Sequence, residues 1–258
     1  MMEKIKNGDY ILLYFDNRRK WLINVDKNKK FHTHKGIVDL ERIIGLSYGE
    51  FVESSLGYRF WILVPSVCNF LSAFERPTQI IYPKDAGLII LKLGIASGKR
   101  IIEAGTGSGS LTAIMAQLVK PNGHLYTYDI NSRFLNFAKR NVRKTNAIDF
   151  VTFENLDAKE GFKESDVDAI MIDLADPWNI IPGAYNSLKG GSPLGSFSPT
   201  INQVEKTVLA LRSNCFINTE SIECLVREMH IEKGKSRPTS RMIAHTGYLT
   251  FANKIISD

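Results

Sequence analysis

The chain has 258 residues, 44% hydrophobic and 10% aromatic, enough for one large domain or for a large and a small one with well-buried cores. Lysine and arginine outnumber aspartate and glutamate by 33 to 27, and the resulting charge of +6 suits a polyanionic partner. No apolar run approaches membrane-spanning length and the first eight residues do not read as a signal peptide, so a membrane class is excluded and a cytoplasmic protein is expected.

Residues 1–70 alternate short apolar runs with Gly, Asn and Asp turns, the pattern of a small antiparallel β domain. The first 40 residues hold nine basic against five acidic side chains, which is +4 of the total +6. These basic residues gather at Arg18, Arg19 and Lys20 and again at Lys27, Lys29 and Lys30, between strand-like runs and therefore on hairpin loops. Each cluster alone reads as a solvated loop. Two in one small β domain point to an RNA-facing module, with Lys27, Lys29 and Lys30 as substrate contacts. His32 and His34 read as surface residues of that module.

Pro77 and Pro83 punctuate the crossing into a second domain, residues 71–258, where strands and helices alternate. That alternation predicts a mainly parallel sheet with helices on both faces. After a helix over Asp85–Leu93, the run Ile101–Ser110 reads as a buried strand, a glycine turn and the start of a helix. Its Gly105, Gly107 and Gly109 are spaced Gly-x-Gly-x-Gly, not the Gly-x-Gly-x-x-Gly of nicotinamide-binding folds. Glu103 at the strand's end would sit badly beside a pyrophosphate. A carboxylate there suits a cationic or zwitterionic ligand, and S-adenosylmethionine carries an ammonium and a sulfonium but no phosphate.

The next strand ends at Asp129, placed to accept from ribose hydroxyls, although Asp129 and Asn131 also precede a helix and read as N-caps. A third strand, Phe150–Glu154, leads to Asp157, which reads either as an acceptor for an adenine amino group or as a plain turn residue. The fourth, Val167–Asp173, puts a carboxylate at its edge, followed by Asp176, Pro177 and Trp178. An acid beside a flat ring suits a nucleobase whose exocyclic amine donates to the acid. The alternative is a turn in which Asp176 caps and Trp178 is core. Farther on, Ile201, Val204, Val208 and Leu211 form a core-facing helical stripe. Lys233, Lys235, Arg237 and Arg241 mark a polar hairpin tip, either an RNA contact or a mobile loop. Cys68, Cys215 and Cys224 have no metal-ligand spacing and read as buried thiols, and no metal site is expected. His124 and His230 have no evident partner.

Five segments, Gln79–Asp85, Glu103–Thr112, Asp173–Trp178, Ser198–Gln203 and Met242–Leu249, together resemble the TrmI family. These are S-adenosylmethionine-dependent tRNA (adenine-N1) methyltransferases acting on the T-loop. The resemblance covers nearly the whole chain, and the segments around Tyr82–Asp85 and His245–Tyr248 are its most specific parts. It implies a class I methyltransferase (Rossmann-like) α/β fold with a mainly parallel seven-stranded sheet and the small N-terminal β domain. The cofactor implied is S-adenosylmethionine, the substrate tRNA, and the target N1 of adenine 58, with position 57 left open. A homotetramer with no membrane association is implied as well.

Around the cofactor the resemblance implies Gln79, Glu103, Gly105, Gly107, Ser108, Gly109, Ser110, Leu111, Asp129, Asp157 and Asp173. It implies Asp173, Tyr82 and Tyr248 as catalytic residues, and Trp178 and His245 on the substrate side. One departure is Ala175, where the family carries Pro after the Asp-Leu pair; the loop loses rigidity and keeps its carboxylate. Adenine N1 has an in-plane lone pair and no proton to remove, so the expected chemistry is direct displacement with Asp173 stabilising the charge that develops. Two other readings are weaker. The glycine spacing and Glu103 oppose a nicotinamide-dependent oxidoreductase, and the intact set Glu103, Asp129 and Asp173 opposes a non-catalytic RNA-binding subunit.

Overall fold

A computed structural model of the chain describes residues 4–76 and 79–256, in two compact units that divide between Phe74 and Glu75. Pro77 therefore lies outside the described residues.

The first unit carries β1 (Tyr10–Asp16), β2 (Arg19–Asn24), β3 (Lys30–Thr33), β4 (Gly36–Asp39), β5 (Phe51–Glu53), β6 (Arg59–Leu63) and α1 (Val67–Ser72). Strands pair antiparallel in the order β2-β1-β6-β5, and β3 with β4 forms a separate hairpin. Side chains alternate across a strand, so Ile11 and Leu13 of β1 and Phe60 and Ile62 of β6 face one core with Val25, Val38, Ile43 and Val52. Burying each such side chain contributes roughly 1.5–3 kcal/mol. Arg18 is exposed at the β1–β2 turn, but Arg19 lies within β2 and its Nε donates to Asp16 at 2.6 Å. Lys27 and Lys29 sit in the turn before β3 and Lys30 begins that strand; all three are exposed.

The second unit begins with α2 (Pro83–Lys92), then alternates β7 (Arg100–Ala104), α3 (Ser110–Val119), β8 (His124–Tyr128), α4 (Ser132–Arg143), β9 (Val151–Glu154), β10 (Ala169–Ile172), α5 (Ile181–Ser187), β11 (Pro193–Ser198) and α6 (Ile201–Ser213). It closes with β12 (Phe216–Glu223), the short pair β13 (Met229–His230) and β14 (Arg237–Pro238), and β15 (Tyr248–Lys254). Seven strands form one sheet in the order β12-β15-β11-β10-β7-β8-β9. The five from β11 to β9 are parallel, while β15 runs antiparallel to β11 and β12 antiparallel to β15. This is the mainly parallel sheet expected from the alternation of strands and helices, with the seven strands that the family resemblance implies.

From β7 the chain winds one way to β8 and β9, then returns to lay β10 on the other side of β7. A crevice opens at the carboxyl ends of two neighbouring strands where the winding reverses. Here those strands are β7 and β10. Apart from Arg100 and Glu103 they are apolar, because both faces are covered: Ile101, Ile102, Ala104 and Ala169–Ile172 are all fully buried.

Three expectations change. In α6 the core face is Val204, Thr207 and Leu211, whereas Ile201, in the first turn, is 61% exposed. The cysteines are not buried: Cys68 is exposed and Cys215 and Cys224 are partly so. His124 has a partner, Thr152 Oγ1 at 2.8 Å on the neighbouring strand β9, and His230 lies 3.2 Å from Glu232. Among the described residues, no helix is long and apolar enough to cross a membrane, and no group of His, Cys, Asp and Glu is arranged to hold a metal ion.

Candidate active site

The glycine turn between β7 and α3 has two positions that only glycine fills. At Gly105, with φ +101°, a Cβ would stand 2.1 Å from the Asp173 carbonyl oxygen, so β7 and β10 leave the sheet pressed together. At Gly109, with φ +78°, it would stand 2.8 Å from Cα of Ala138, so α4 lies directly against the turn. Gly109 thus serves helix packing, and it stands between Ser108 and Ser110 of the cleft wall without lining the cleft itself. Asn141, fully buried on α4, completes the anchorage by donating to the Ser108 carbonyl at 2.9 Å.

The cleft so formed, about 400 Å³, is lined by Gln79–Ile81, Glu103, Gly105–Ser108, Ser110, Leu111, Asp129–Asn131, Phe134 and Asp173–Ala175. Ten of the eleven residues expected around the cofactor therefore meet here or next to it, counting Asp157 in the adjoining hollow described below.

Glu103 is 1% exposed, and its Oε2 accepts from Thr112 Oγ1 at 2.6 Å and Thr127 Oγ1 at 2.7 Å. Burial raises its pKa to about 8, the hydroxyls oppose that, and the nearby Asp173 and Asp129 reinforce it. Burial alone raises Asp173 to about 7. Among the described residues that line the cleft, no basic side chain offers a positive counter-charge to these two carboxyls, which hold protons near neutrality. A cationic ligand supplies it, so these residues fit a sulfonium and ammonium compound and not a pyrophosphate.

The N-cap of α4 is Asn131, which accepts from the Arg133 amide at 3.0 Å. Asp129 instead takes the Gly107 amide at 3.0 Å and the Asn131 amide at 2.8 Å, one on each carboxylate oxygen. A second lone pair on each oxygen stays available for a diol in the cleft. Asp157 caps a short turn by accepting from the Lys159 amide at 3.0 Å. It also lines a hollow of about 180 Å³ that shares Asp129, Ile130, Leu174 and Ala175 with the cleft, and the Lys159–Asp176 ion pair, 2.6 Å, lies on its rim.

Tyr82, the N-cap of α2, lines a separate cavity of about 450 Å³ with Lys84, Val226, Arg241 and Met242. Tyr248 and His245 pack ring to ring at 4.9 Å outside the cleft wall. Both ring nitrogens of His245 face acceptors, Glu223 Oε1 at 2.7 Å and the Pro199 carbonyl at 2.9 Å, which favours the protonated ring and raises its pKa. Trp178 is neither core nor cleft wall; it is half-buried beneath Lys206 Nζ, 4.7 Å from the ring. Where the family's Pro is missing, Gln203 Nε2 donates to the Ala175 carbonyl at 2.9 Å and holds the loop after Asp173 from the side. Sequence reasoning missed Asn141, whose signal was a lone amide on the apolar face of α4, and the pairing of Lys84 with Asp85.

The family described as tRNA methyltransferase complex GCD14 subunit matches residues 60–235. The chain belongs to that family. It is 34% identical to the tRNA (adenine(57)-N(1)/adenine(58)-N(1))-methyltransferase TrmI of Methanocaldococcus jannaschii, with 94% of each chain covered. Among solved structures it is similar to the tRNA (m1A58) methyltransferase TrmI of Aquifex aeolicus, at 32% identity and TM-score 0.85 over 99% of this chain and all of that one. A protein described as a SAM-dependent O-methyltransferase from Thermotoga maritima is 38% identical with TM-score 0.92, over 99% of this chain and 96% of the other.

Proposed function

We propose that this chain transfers the methyl group of S-adenosylmethionine to N1 of adenine 58 in the T-loop of tRNA. The observation that carries the reading is the glycine-turned cleft whose two acids, Glu103 and Asp173, are desolvated without a cationic partner. In the cleft, Glu103 and the amides of the turn hold the methionine side, Asp129 the ribose and Asp157 the adenine. When bound, the cofactor supplies an electrophilic methyl group. Asp173 accepts a hydrogen bond from the exocyclic amine of the acceptor adenine, where positive charge spreads as N1 becomes quaternary. No proton has to leave N1. Tyr82, Tyr248, Trp178 and His245 lie outside the cleft wall and are assigned to the acceptor tRNA by the family resemblance alone, and the exposed Lys27, Lys29 and Lys30 grip the tRNA backbone. A T-loop adenine must leave its stack before it can react.

Methylation at position 57 as well follows from the likeness to the archaeal enzyme. Assembly as a homotetramer is supported by exposed apolar side chains that further copies would cover: Leu225, Val226, Met229, Ile231 and Ile243 are all more than half exposed. A cytoplasmic location fits a tRNA substrate. Unmodified tRNA transcript incubated with labelled cofactor, then mapped, should show N1-methyladenine at 58. Label on a ribose or other oxygen would support the O-methyltransferase reading of the Thermotoga relative instead, and no transfer at all would refute the proposal.

A further inference from the structure

Outside the cleft, one buried ionic cluster has no part in the chemistry above. Asp85, in the first turn of α2, is fully buried, and the Lys84 side chain is 11% exposed. Lys84 Nζ donates to Asp85 Oδ1 at 2.9 Å, to the Cys224 carbonyl at 2.7 Å and to Thr246 Oγ1 at 2.7 Å. Thr246 Oγ1 in turn donates to Asp85 Oδ2 at 2.8 Å. An ammonium has three hydrogens, and each here has a partner in a different segment. Cys224 follows the last residue of β12, and Thr246 stands just before β15. Because β15 runs against β11, with Tyr248 opposite Ser198, both sites lie at the carboxyl edge of the parallel strands. The residues just before α2, Gln79–Ile81, form a wall of the cleft.

We infer that Lys84 and Asp85 are a positioning pair, which ties the start of α2 to the ends of β12 and β15 and so sets the Gln79–Ile81 wall against Asp173 during methyl transfer. A buried ion pair contributes little to stability against an apolar pair of the same volume, so stability alone does not account for it. What it provides is direction: four bonds at fixed angles draw together segments 140 and 162 residues away in sequence. Displacement of a methyl group requires collinear reacting atoms, and a misplacement of about 1 Å costs on the order of 10²-fold in rate. The inference rests on the reading that the cleft holds the methyl donor; calorimetry of Asp129→Ala tests that reading by itself.

The experiment compares Lys84→Met, Lys84→Arg and the double variant Lys84→Met/Asp85→Leu in single-turnover methylation at saturating donor and tRNA, with donor affinity and melting temperature measured alongside. Lys84→Met leaves Asp85 buried without its partner and is expected to melt early. The double variant removes both charges and should melt within a few degrees of wild type, yet transfer methyl about 10²-fold more slowly with donor affinity little changed. Lys84→Arg keeps the charge but not three tetrahedral donors, and should stay slow as well. A double variant that transfers methyl at the wild-type rate overturns the inference. So does a loss of donor affinity in step with rate, which would make the pair a part of the donor site.

Discussion

At the scale of single residues, two acids carry different burdens in one cleft. In the proposed mechanism Asp173 stands where positive charge develops on the acceptor, so Asp173→Ala should slow methyl transfer by roughly 10²–10³. tRNA affinity should hardly change, since phosphate contacts dominate it. Asp173→Asn keeps the shape and one acceptor oxygen. If charge is what matters, Asn should be nearly as slow as Ala in single-turnover kinetics; a recovery of most of the rate would assign Asp173 to positioning. Glu103 makes a separate prediction about the free protein. Its folded pKa, about 8, lies above its ordinary value of 4.5, so its stabilising contribution is complete below pH 4.5 and is lost as pH rises toward 8. At about 1.4 kcal/mol per pKa unit the loss is at most on the order of 5 kcal/mol. Thermal melts of the ligand-free protein from pH 5 to 8 should therefore fall less steeply for Glu103→Gln than for wild type. Parallel curves would show that Glu103 is not the group titrating.

At the scale of elements, the turn from β8 into α4 divides labour between Asp129 and Asn131. Asn131 caps the helix, and Asp129 ties the glycine turn while facing the cleft. Asp129→Ala should weaken donor binding by about 1.5–3 kcal/mol, the worth of charge-assisted bonds to a diol. Unchanged affinity in a folded variant, read by calorimetry, would count against the ribose assignment. Parallel strands and their glycine turn were legible because burial on both faces demands unbroken apolar runs and a sharp exit demands glycine. The role of Gly109 was not, since what it meets is Ala138 on the next helix, a contact that spacing within the turn cannot reveal. Nor was Ile201 as an exposed residue: a helical stripe drawn from sequence does not say where the sheet stops covering the first turn of α6. Lys84 and Asp85 are neighbours in every conformation, and only the folded chain brings Cys224 and Thr246 to them.

On the scale of the whole molecule, the charge is uneven, and the first 40 residues hold +4 of the total +6. Neutralising Lys27, Lys29 and Lys30 together should raise the tRNA dissociation constant and flatten its dependence on salt by up to about three counterions, leaving donor affinity alone. Binding that keeps the wild-type salt slope would move the RNA-gripping surface elsewhere. This part of the reading came from composition, which reports where charge lies along the chain but not which loops meet the substrate.

The near-neutral proton affinities of Glu103 and Asp173 have a consequence for the traffic of protons through a turnover. At pH 7 the empty cleft holds protons that a bound cation displaces, so loading the donor should release acid into the medium. The heat of binding should then vary with the ionisation heat of the buffer. Transfer moves one positive charge from sulfur to the purine and leaves the total inside the cleft unchanged. Once both products depart, the acids take protons back from water, and uptake at release cancels discharge at loading.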